Sequence, residues 1–205
     1  APVALGEVEV AVESLSETRS THFASADLRQ EGELKLRATA AYTDLDKLKG
    51  PDWNNVTPPD VPSMEDVEAP AMSHLEIHQS IDMRMVQGAE VFTEGKTTGT
   101  GEFIAWLAHK DGAAPGPIDL LMFADMMPPP VFTLYGAYGW VPTVELTVQV
   151  RRKPAPGPLL ARHITRQITA GVAETDTEIW DVKGDLAAMA RQTYKVRMPR
   201  GSEDS

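Results

Sequence analysis

Strand-like alternation recurs along almost the whole chain and is broken by one short apolar helix; few folds accommodate that order. Val8, Val10 and Val12 alternate with Glu7, Glu9 and Ala11, a period of two. Ser20-Thr21-His22-Phe23 is a second strand-like stretch, and a turn at Glu31-Gly32 leads into a third, ELKLRATAAYT. Residues 1–47 therefore read as strands without a helix. Residues 48–72 are rich in Pro, Asp, Asn and Glu, the composition of a linker or long surface loop stiffened by its prolines. A second block, 73–198, opens with strand-like HLEIHQSIDMRM and TGEFIAWLAHK. The turn DGAAPGP then gives way to a helix in IDLLMFADMM, started by Pro117 and stopped by Pro128. PTVELTVQVRR, PLLARHITRQIT, TEIWDVKG and LAAMARQTYKVR follow as strands, with a hairpin at Lys183-Gly184-Asp185-Leu186. The tail, 199–205, is expected to be disordered.

A helix that is apolar on nearly every side does not belong on a surface. The sheet is expected to wrap it. A single central helix inside a curled antiparallel sheet is the hotdog architecture, an α+β fold, and the order of elements implies it for 73–198.

Composition removes several function classes. The net charge of −11 argues against a general nucleic-acid binder, while an anionic small ligand needs only a local basic patch. The absence of cysteine removes disulfides, thiolate zinc sites and cysteine nucleophiles, and fits a cytoplasmic protein. No apolar run approaches the roughly 20 residues of a membrane span. Neither a G-x-S-x-G elbow, nor H-E-x-x-H, nor a phosphate loop or dinucleotide fingerprint is present. The histidines are His22, His74, His78, His109 and His163; His74 and His78 lie in a strand-like run, where their spacing makes no helical ligand pair. No metal and no cofactor is expected. The chain opens on Ala1 rather than Met, so it is expected to be processed or part of a longer chain.

Two residues stand out from their surroundings. Asp125 shares a helix face with Ile118, Leu121, Met122 and Met126, so a carboxylate interrupts an apolar stripe near a helix C-terminus, where the dipole disfavours it. It is either an exposed Asp at a fraying end or a group placed for chemistry. Gln192 is the one amide on the strand face of Leu186, Ala188, Ala190, Tyr194 and Val196. It is either an edge glutamine or part of a site. Thr143 opens the strand whose apolar face is Val144, Leu146, Val148 and Val150, so parity puts it on the opposite face; a bulge after Pro142 would re-aim it.

Residues 74–198 resemble the acyl-CoA thioesterase II (TesB-like) family of double-hotdog proteins. LLMFADMMPPPVF, PTVELTVQVRRKP and EIWDVKGDLAAMARQTYKVR carry the resemblance. It implies a catalytic Asp on the helix, a Thr opening the next strand and a Gln on the last strand, which fall on Asp125, Thr143 and Gln192. These would hold a water near the carbonyl carbon of an acyl-CoA thioester, giving free fatty acid and CoA without a covalent intermediate. Met126, Met127 and Phe132 would line the acyl channel if they are not simply core; Arg151, Arg152 and Lys153 would meet phosphates if they are not simply a solvated strand end.

Residues 6–46 resemble only the part of the family's first hotdog that follows its helix. The expected architecture is thus a double hotdog whose first half is incomplete here, with the remainder in the native polypeptide or a companion chain. The connection TLYGAYGW is shorter than the family leads one to expect. Hotdog units pair, so a homo-oligomer is implied. The competing reading is a non-catalytic hotdog that binds acyl-CoA or serves as a structural partner. A hotdog hydratase ranks last, because no histidine follows Asp125 in MMPPP.

Overall fold

The computed structural model describes residues 3–68, 77–137, 139 and 141–197. The chain divides into two compact units, residues 1–52 and 53–205. The first is an antiparallel three-stranded sheet in the order β1-β2-β3, with β1 Glu9–Glu17, β2 His22–Gln30 and β3 Glu33–Tyr42. Glu31 and Gly32 both have positive φ, 51° and 77°, the two-residue hairpin turn whose twist suits the flanking strands. Val10, Val12 and Leu36 of this sheet are exposed.

The second unit is a six-stranded antiparallel sheet in the order β4-β5-β7-β8-β9-β6. Its strands are β4 Ile81–Gln87, β5 Glu102–His109, β6 Thr143–Val150, β7 Leu159–Thr169, β8 Val172–Trp180 and β9 Leu186–Lys195. The main helix, α3, spans Asp119–Asp125 and lies against β6, β8 and β9. Asp119 belongs to its first turn, and its carboxylate accepts from the Gly116 N–H at 2.7 Å. This is a hotdog fold. Leu120, Phe123 and Ala124 of α3 are buried against Phe103, Leu107, Leu159, Ile179, Ala188 and Ala190. The alanines on β9 keep that strand's inner surface low, so the helix backbone can approach it.

Two expectations are corrected. Ile77–Ser80, within a run read as strand, form a one-turn helix, α1, and the strand starts only at Ile81; His74 lies outside the described residues. Two more one-turn helices, α2 Glu90–Thr93 and α4 Phe132–Tyr135, accompany the single helix read from periodicity. A single turn is too short to show a period. The sheet curls around α3 and leaves one edge of the helix open: Ile118 is 80% exposed and Leu121 47%, and Asp125 is exposed with them, whereas Met126 of the same stripe is buried in the core.

The outer face of the sheet is partly covered by the proline-rich stretch. The Trp106 indole N–H donates to the Pro62 carbonyl at 2.9 Å, and Arg84 donates to the carbonyls of Met64 and Val67 at 2.9 and 3.2 Å. Met64 itself is buried.

On the inner face, His163 of β7 is almost fully buried, and its Nδ1 bonds the Thr177 hydroxyl at 2.6 Å. Burial holds the imidazole down to about 3, far below its ordinary value. Below the unfolded value, the unfolded chain takes up a proton that the folded chain refuses. His163 therefore removes stability as pH falls from about 6.5 toward 3 and contributes no such loss above that window. Urea unfolding of His163→Gln should show a shallower acid limb, by about 1 kcal/mol per pH unit across this window. Parallel limbs in wild type and variant would mean that His163 is protonated in the folded protein.

Candidate active site

Three segments of the second unit deliver the residues singled out above. Asp125 is the last residue of α3, and the prolines beyond Met127 prevent the helix from continuing. The chain instead turns into α4, which is staked to the sheet. The buried Thr133 hydroxyl donates to the Pro130 carbonyl at 2.7 Å and accepts from the Gly101 N–H at 2.8 Å. Gly101 is required there: its φ is +65°, and a Cβ would lie 2.7 Å from the Thr165 carbonyl oxygen.

Thr143 reaches the site through a bulge. On β6 and β9, Leu146 pairs with Gln192 and Glu145 with Thr193, but Tyr194 pairs with Thr143. Val144 is the extra residue, and it is exposed. Thr143 and Glu145 have the same sequence parity, yet the bulge turns them to opposite faces. Thr143 comes to the inner side with its partner Tyr194.

Gln192 closes the cluster. Its Nε2 donates to Asp125 Oδ1 at 2.7 Å and to Thr143 Oγ1 at 2.7 Å. Gln192 is buried, whereas Asp125 and Thr143 are exposed. Both amide hydrogens are thus committed, and each acceptor keeps a side open to water.

The remaining expected residues lie elsewhere. Met126 and Met127 are buried in the core cluster around α3. Phe132 is half-buried and meets Phe92 edge-on at 6.4 Å, and Phe92 stacks on Phe103 at 5.7 Å. Arg152 pairs with Asp185 at 2.9 Å. Among the described residues no three His, Asp or Glu side chains are grouped to hold a metal ion, and no helix is long and apolar enough to cross a membrane.

The family model of the acyl-CoA thioesterase C-terminal domain matches residues 57–196. The chain belongs to the acyl-CoA thioesterase family. Solved structures agree on the fold. A candidate thioesterase II from Thermobifida fusca superposes with a TM-score of 0.84 at 26% identity, covering 96% of this chain and 75% of that one. A hot dog fold protein of unknown function from Alicyclobacillus acidocaldarius gives 0.81 at 22% identity, covering 93% and 72%. An acyl-CoA thioesterase II from Mycobacterium marinum gives 0.71 at 18% identity, covering 94% and 74%. At these last two identities the likeness speaks for the fold alone. No curated protein matches the chain in sequence.

Sequence reasoning missed the hydroxyls behind Gln192 in this thioesterase-family chain: Thr165, Thr175 and Tyr194 are all buried on the inner face. Their signal was present, since Ala173, Thr175 and Thr177 share a parity on β8, but threonine is ordinary in strands.

The Gln192 bridge makes a distinct stability prediction. Its two acceptors are exposed, so water can replace the lost donor in Gln192→Leu. Urea unfolding should show a change within about 1 kcal/mol. A loss of about 3 kcal/mol or more would identify the amide as a structural member of the core.

Proposed function

We propose that this chain hydrolyses acyl-CoA thioesters at Asp125, Thr143 and Gln192, releasing a free carboxylic acid and CoA. The observation that carries the reading is the double donation from Gln192, one amide hydrogen to each partner. A buried amide with both hydrogens spent on two exposed acceptors fixes the direction of each. Asp125 keeps Oδ2 for a water, and Thr143, already accepting, presents its own hydroxyl hydrogen outward.

The water would sit between them and attack the thioester carbonyl carbon. Its proton passes to Asp125, the tetrahedral adduct expels the thiolate, and that thiolate takes a proton to become CoA. Backbone N–H groups would meet the developing oxyanion. No side chain forms a bond to the substrate. An ordered carboxylate and hydroxyl raise the effective concentration of the water and remove most of its orientational freedom. In this reading Met126, Met127 and Phe132 form the apolar wall for the acyl chain, using adaptable side chains at its inner end. The exposed Ile118, Leu121, Val10 and Val12 are covered in the working assembly, by a further segment, a companion chain or a second copy.

CoA release should be measured from acyl-CoAs of short, medium and long chain. Wild type should turn over at least one of them, and Asp125→Asn should lose about 10²- to 10⁴-fold in kcat while its fold is retained. Undiminished turnover in Asp125→Asn would remove Asp125 from the mechanism. Acyl-CoA binding without release would instead favour a non-catalytic hotdog.

A further inference from the structure

The buried hydroxyls behind Gln192 form a closed ring. Thr165 and Thr175 lie 2.8 Å apart through Oγ1, Thr165 and the Tyr194 hydroxyl 2.6 Å, and Thr175 donates to the Tyr194 hydroxyl at 2.8 Å. The directions follow from hydrogen supply. Thr175 spends its one hydrogen on Tyr194, so Thr165 must donate to Thr175, and Tyr194 must then donate to Thr165. Three hydrogens serve three bonds, and each hydroxyl donates once and accepts once. Such a ring polarises in one sense, each bond strengthening the next. Burial pushes the Tyr194 phenol above its ordinary value, so the ring keeps its third hydrogen at neutral pH.

The placement of the ring is the telling feature. Thr175 is the cross-strand partner of Gln192, and Tyr194 is the cross-strand partner of Thr143. Tyr194 is also two residues beyond Gln192 on the same strand face. Gln192 therefore has the ring on two sides, and Ala190 and Leu146 on the others. The apolar sides offer its carboxamide no partner. On the polar sides, every hydroxyl hydrogen is already used within the ring.

We propose that the Thr165–Thr175–Tyr194 ring is a positioning element of the site. By satisfying itself, it offers Gln192 no competing donor, and it leaves the carboxamide turned to Asp125 and Thr143. Tyr194 also anchors the strand end opposite the Thr143 bulge. These are positioning residues; none touches the substrate. The proposal rests on the thioesterase reading for its kinetic consequence but not for its geometry. Tyr194→Phe deletes two of the three bonds and leaves the Thr175 hydrogen without its acceptor. That hydrogen then seeks the carboxamide oxygen of Gln192, across the strand pair, and draws the side chain off its two partners.

Two readouts separate this proposal from the thioesterase reading. The first needs no substrate. In ¹⁵N-labelled protein, the Gln192 side-chain amide is assigned by its loss in Gln192→Leu. In Tyr194→Phe and Thr175→Val its shifts should move and its exchange with water should speed up by about tenfold or more, while Thr175→Ser leaves both near wild type. The second is kinetic, with acyl-CoA. Tyr194→Phe and Thr175→Val should lower kcat by about tenfold or more with KM changed less than about threefold, and Thr175→Ser should restore kcat. An amide signal unmoved in folded Tyr194→Phe and Thr175→Val overturns the proposal, as does an unchanged kcat in both. A wild type inactive on every acyl-CoA refutes the thioesterase reading and leaves the amide measurement to decide this one.

Discussion

One carboxamide joins three segments that are far apart in sequence. Gln192 donates to Asp125 and to Thr143, both at 2.7 Å, across separations of 67 and 49 residues. For both bonds to form, α3 must end at Asp125, β6 must bulge at Val144, and β9 must hold its register against both neighbours. Each condition has its own physical cause. Prolines stop the helix, the extra residue reverses the parity of Thr143, and β9 pairs along nearly its whole length with β8 and β6.

The division of labour between buried and exposed groups follows from the same geometry. Gln192 is buried, its partners are open to solvent, and the hydroxyls behind it satisfy one another. A reactive carboxylate fully enclosed by the core would face a desolvation penalty of several kcal/mol. Leaving Asp125 on the open edge of α3 avoids that cost and admits water, the reactant that the proposed hydrolysis needs. His163 illustrates the opposite choice: a fully enclosed imidazole that stays neutral and serves packing.

Much of this was legible in the residues, for reasons that differ from one to the next. The strands of the second unit were readable because period-two patterns are long and β9 has one small, apolar face interrupted by an amide. Asp125 was conspicuous because a charge in an apolar run is rare. Its environment stayed open between exposed and enclosed, since helical periodicity tells which residues share a face but not which face the sheet will cover. Thr143 could not be placed by parity at all; its orientation depends on a register step against β9, a tertiary fact that no local pattern contains. The hydroxyl ring was hidden for the same reason, because Thr165, Thr175 and Tyr194 meet only through pairing across three strands.

The central claim is that Asp125 and Gln192 act as one unit in hydrolysis, and a double-mutant cycle on kcat tests it most directly. Asp125→Asn, Gln192→Leu and the double variant would be compared with wild type on one good acyl-CoA substrate. If the amide works by aiming the carboxylate, the double variant should be no slower than the slower single variant, within about threefold. Losses that multiply across the two sites would show that the residues act independently, and would contradict the account.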